Sequence, residues 1–154
     1  MEEVMKKQIL NLVVTLSIIV TLAVAGFAGL SAKVTASIPF DFMVGNKKLP
    51  AGKYTVERHN ININGLLFIR SAETKSSAAF LTMDASGKNS PEARLVFRRY
   101  GNQYFLAQIH DGINSGRELI KSKAEREAAS AERDHLVLNS AEPEIISVVA
   151  SVGQ

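Results

Sequence analysis

The sequence predicts a mainly β protein: a small antiparallel β-sandwich or partly closed barrel with one peripheral C-terminal helix. Three observations carry this expectation. Beyond residue 36, short apolar runs alternate with polar residues at a period of two, the spacing of half-buried strands. Turns rich in Gly, Pro and Asn punctuate those runs at close intervals, as in sandwiches and barrels. Only one stretch, residues 123–133, changes to helical spacing.

The chain opens differently. Lys6 and Lys7 precede an uncharged, mostly apolar run from Ile9 to Leu30, and small residues follow. This is the layout of an export signal, so residues 1–36 are assigned as a signal peptide. Val34-Thr35-Ala36 suits the positions before a cleaved bond, which puts cleavage after Ala36, with Ala32 as second choice. An uncleaved anchor is the alternative, because a spanning helix needs roughly 17–25 apolar residues. Asn11, Thr15, Ser17 and Thr21 dilute the run and favour cleavage. On either reading residues 37–154 form a single exported domain, periplasmic, envelope-bound or extracellular, touching membrane only through an uncleaved N-terminal segment.

In IPFDFMV, Ile38, Phe40, Phe42 and Val44 fall on one face of a first strand. Pro39 lacks an N–H and belongs at its start or edge. Leu49-Pro50-Ala51-Gly52 supplies turn chemistry, and Tyr54 and Val56 alternate with Thr55 and Glu57 in a second strand. A turn-rich stretch, 60–65, leads to strands at 66–70 and 78–83. The clearest hairpin is RLVFRRYGNQYFLAQIH, folded about Gly101-Asn102. Its expected register places Phe97 opposite Leu106, Val96 opposite Ala107, Arg98 opposite Phe105 and Arg99 opposite Tyr104.

Ser122-Lys123-Ala124-Glu125 reads as a capping box, with the helix behind it apolar only to the depth of alanine. Leu136–Leu138 and Ile145–Val149 are β-prone, and one of them is expected to close the sheet. Six to eight strands are expected in all.

Composition excludes several functions. There is no cysteine, which removes disulfides, thiolate catalysis, Cys-ligated metal and a lipoprotein anchor. Eighteen Lys and Arg face 15 Asp and Glu over the whole chain. Without residues 1–36 the balance is 15 to 13, too even for a nucleic-acid binder. His59, His110 and His135 form no HxH, HxxxH or HExxH pair, so neither metal nor cofactor is expected. No GxSxG elbow, SxxK or phosphate loop is present.

Two groupings remain. His110-Asp111 is the one pair with the chemistry of a base and its orienting carboxylate, which makes a hydrolase the third reading. Arg98, Arg99, Tyr100, Tyr104 and Phe105 interleave cations with aromatics around the hairpin turn and form the candidate interaction surface. The simpler account of those arginines is that they shield a strand and cover an aromatic neighbour.

SIPFDFMVGNKKLPAGKYTV, RLVFRRYGNQYFLAQI and GRELIKSKAEREAA, behind a signal peptide, together resemble a family of small exported bacterial proteins of unknown function. The resemblance covers most of the mature chain. It implies export and a mostly β fold, with no activity or site residues to carry over. The leading expectation is therefore an exported non-catalytic β-domain, a binding or structural module whose partner is an envelope component or a small ligand. A carrier of a small apolar ligand, with Phe40, Phe42, Phe68 and Phe97 lining a cavity, is the second.

Overall fold

The computed structural model describes residues 33–58, 64–86, 90–113, 116–135 and 142–153. The N-terminal apolar run, His59, Ser115 and Leu136–Leu138 lie outside the described residues. Those described form eleven strand segments and one helix, so the fold is mainly β, as expected.

The first strand, β1 (Lys33–Ile38), buries Val34, Ala36 and Ile38 on one face. The chain then breaks at Pro39, where a ladder N–H is missing. It resumes as β2 (Phe42–Val44), β3 (Lys47–Leu49) and β4 (Gly52–Arg58). The expected single strand over Ile38–Val44 is thus corrected: Pro39–Asp41 is irregular, and Gly45-Asn46 makes a tight β2–β3 hairpin. Gly45 takes φ +61°, left-handed backbone that suits glycine. Beyond β4 come β5 (Leu66–Ser71) and β6 (Ser77–Asp84), close to their predicted spans.

The strong hairpin forms as β7 (Ala93–Tyr100) and β8 (Gln103–Asp111) about Gly101-Asn102. Gly101 has φ +55° while Asn102 does not, the pattern of a II′ turn. Three of the four expected pairs hold. The fourth does not: Val96 faces Gln108 rather than Ala107, because a bulge leaves Ala107 as an extra residue in β8. The short β9 (Arg117–Leu119), absent from the sequence reading, bridges β8 and β6. The helix α1 (Lys123–His135) starts where the cap predicts. Two last segments, β10 (Glu144–Val149) and β11 (Ser151–Gly153), follow.

Neighbouring strands run β10-β7-β8-β9-β6-β5-β4-β1-β11. The two ends of that path are consecutive in the chain, separated by Ala150, whose N–H donates to Ala93 O at 2.9 Å. One C-terminal run therefore pairs with β7 through its first half and with β1 through its second. The result is a partly closed barrel whose seam is made by the C-terminus. Pairing both ends of that path reduces the free edge that otherwise invites aggregation, although β3 pairs with β2 alone.

The interior is filled by aliphatic side chains and four aromatics, Phe42, Tyr54, Phe80 and Phe97. Phe42 sits edge-on to Tyr54 and Phe97, with centroids 5.1 and 5.5 Å away. The Tyr54 hydroxyl donates to Pro50 O at 2.8 Å, so its polar end is satisfied while the ring is buried. Among the described residues, no helix is long and apolar enough to cross a membrane.

Candidate functional site

Strand alternation sorts the predicted surface residues onto two faces. On β7, Leu95 and Phe97 point into the barrel, Val96, Arg98 and Tyr100 point to the other face, and Arg98 and Tyr100 reach Glu125 of α1. The helix presents Glu125, Ala128, Ala129 and Glu132 along one face at i, i+3, i+4 and i+7 spacing. With only alanine for packing, its attachment to the sheet is made largely by charge.

Arg98 is the centre of that attachment. Its Nη1 donates to Glu125 Oε1 at 3.0 Å, and its Nη2 makes a short ion pair with Glu118. Residue exposures of 9% for Arg98 and 3% for Glu125 make this a buried cluster. The Tyr100 hydroxyl donates to Glu125 at 3.4 Å, and Gln108 Nε2 donates to Glu118 at the same distance. Burial, and then the Glu125 carboxylate, push the Tyr100 phenol above its ordinary range. The capping box is half realised. Ser122 Oγ accepts from the Glu125 N–H at 3.1 Å, but the Glu125 carboxylate turns to Arg98.

The candidate interaction surface is therefore corrected. Arg98, Tyr100 and Phe105 are buried, with the Tyr100 and Phe105 rings edge-on at 5.9 Å. Arg99 and Tyr104, on the other face, stay at the barrel mouth, where the guanidinium lies 5.5 Å from the Tyr104 ring centre. Arg99 is further held by Glu144 at 2.9 Å and by Gly101 O at 2.7 Å. Phe40 stacks on Tyr104 at 4.0 Å and meets Phe97 edge-on at 5.2 Å.

Next to this stack is a groove of about 330 Å³ lined by Asp41, Met43, Lys48, Asn102, Gln103 and Tyr104, together with Phe42. Asp41 pairs with Lys48 at 3.1 Å and accepts from the Ala51 N–H at 3.0 Å. Those contacts, the backbone N–H first, hold its carboxyl below the usual range. Lys48, on β3, stays largely exposed while bordering the groove. A second, open groove of about 530 Å³ lies between that hairpin and β5–β6, with Phe68 on its wall.

His110 is 5% exposed, and its Nε2 lies 3.3 Å from Gln108 Oε1. Burial, and then the Arg94 charge, lower its pKa below 6.5, and Asp111 opposes them more weakly. A Cβ placed on Gly116 would approach His110 Cε1 to 2.5 Å, so the ring is closely walled in. Asp111 turns its Oδ1 to the Ile113 N–H at 3.0 Å. The four phenylalanines of the carrier reading do not share a cavity: Phe42 and Phe97 pack together, Phe40 covers Tyr104, and Phe68 faces the outer groove. Among the described residues, no group of three or more His, Asp or Glu is arranged to hold a metal ion.

Comparison with protein-family models, curated proteins and solved structures returns no match.

Proposed function

We propose that the chain is exported and that its β-domain acts as a non-catalytic binding or structural module of the cell envelope or extracellular space. The observation that supports this is the division of polar groups. Among the described residues, Arg98, Glu118 and Glu125 are committed to holding α1, and His110 is walled in. Those at the barrel mouth recognise rather than react. Asp41 and Lys48 cancel each other's charge, Asn102 and Gln103 offer amide donors and acceptors, and Tyr104 offers a ring edge. Such a surface suits a neutral, hydrogen-bonding partner such as a polysaccharide or an extended peptide.

The test is co-sedimentation of the purified exported chain with isolated cell envelopes. Binding that falls several-fold in a Lys48→Glu/Gln103→Ala variant of unchanged fold supports the module. Absence of binding, or binding indifferent to both substitutions, contradicts it.

A further inference from the structure

We infer that the export signal is removed between Ala32 and Lys33, so that the mature protein begins with β1 intact. This rests on the export reading of the N-terminal segment. Sequence preference alone ranks Ala36 first, because Val34 and Ala36 place small or aliphatic residues at the two positions that matter. The fold reverses that ranking.

Lys33, Val34 and Thr35 are the residues of β1 that pair with β11, opposite Gly153, Val152 and Ser151. Val34, Thr35 and Ala36 also pair with Val56, Thr55 and Tyr54 of β4. Val34 and Ala36 are buried in the core. A cut after Ala36 would delete every β1–β11 partner and leave β11 without a neighbour at the seam. It would also expose the β4 backbone over the same length and open the interior beside Tyr54. Outward-facing Thr35 adds a hydroxyl contact to Thr55 at 3.2 Å. A cut after Ala32 costs none of this. Ala32 still supplies the small residue before the scissile bond, and Lys33 begins the strand with an exposed side chain directed at Glu57.

The chemistry is ordinary amide hydrolysis by a signal peptidase. Water adds across the Ala32–Lys33 bond, leaving a carboxylate on the released leader and a free α-amino group on Lys33. That new terminus lies opposite Gly153 in the β1–β11 ladder.

The test is expression of the full chain, residues 1–154, in a bacterium with a periplasm, followed by intact mass and N-terminal sequencing of the protein in each compartment. Protein outside the cytoplasm that starts at Lys33 supports the inference, as does loss of processing in Ala32→Asp. Exported protein starting at Ser37 or any other residue overturns it, as does continued cutting of Ala32→Asp after Ala36. Full-length protein outside the cytoplasm overturns the cleavage and leaves export standing. Full-length protein retained inside overturns both.

Discussion

Arg98 and Glu125, 27 residues apart in the chain, meet beneath α1 with Nη1 and Oε1 3.0 Å apart. A buried ion pair gives little net stability over an apolar pair, because both charges must be desolvated. Breaking it from one side is another matter. Arg98→Met strands Glu125, 3% exposed, and takes the cation from Glu118 as well. The expected loss is about 3–5 kcal/mol. Arg98→Met/Glu125→Leu recovers most of it. Urea denaturation of the two variants and the parent measures both; equal losses in the single and double variants contradict the clasp.

His110 makes stability depend on pH in one direction. Burial and Arg94 depress its folded pKa below 6.5, so the unfolded chain takes up a proton that the folded chain resists. Its contribution is complete above pH 6.5 and is lost as pH falls through the lower folded value. Unfolding free energy therefore declines below pH 6.5, and His110→Gln flattens that part of the curve. An NMR titration placing the His110 ring above 6.5 contradicts the assignment.

Gly65 is the described glycine at which an added Cβ would come nearest to a backbone atom. It has φ +84°, and an added Cβ would lie 2.3 Å from the Thr82 carbonyl oxygen, a backbone atom with little room to retreat. Thr82 pins Gly65 O with both its N–H, at 2.9 Å, and its hydroxyl, at 2.8 Å. Gly65→Ala adds overpacking to a left-handed penalty, for an expected loss of about 2–4 kcal/mol in thermal or urea unfolding. A change within about 0.5 kcal/mol, the range of a neutral surface substitution, contradicts the geometry.

The architecture was legible in sequence where local signals agreed with one another. The β7–β8 hairpin, for example, has a two-residue turn with glycine first and alternating runs on both sides. Elsewhere the deciding contact was distant. Nothing near Val34 shows that it pairs with Val152, so β1 was hidden inside a plausible cleavage motif. The bulge at Ala107 has no marker either, since alanine suits a regular strand equally well. Arg98 read as surface because arginine is seldom buried, yet it alternates with Val96 and Tyr100 on a face that must be covered. The complementary signal was Glu125, the one acidic residue in the first helical turn, on the same face as Ala128 and Ala129. Lys48 and Asp41 meet through the Gly45-Asn46 turn, whose local signal is weaker than that of Pro50 close by.

The seam of the barrel depends on its last residues. Deleting residues 151–154 removes β11 and leaves β1 paired on one side only. Amide hydrogen exchange is expected to show lost protection within Val34–Thr35, at the amide that faces β11, with the β5–β6 ladder unchanged. Uniform protection in the truncated chain contradicts closure by the C-terminus.

The proposed recognition role places the contact surface at the barrel mouth around Tyr104. It is tested most directly by recording NMR spectra of the labelled chain during titration with polysaccharide and peptide fractions from isolated envelopes. The account predicts saturable shifts concentrated at Asp41, Lys48, Asn102, Gln103 and Tyr104, with α1 unperturbed. Shifts confined to other faces, or none with either fraction, would contradict it.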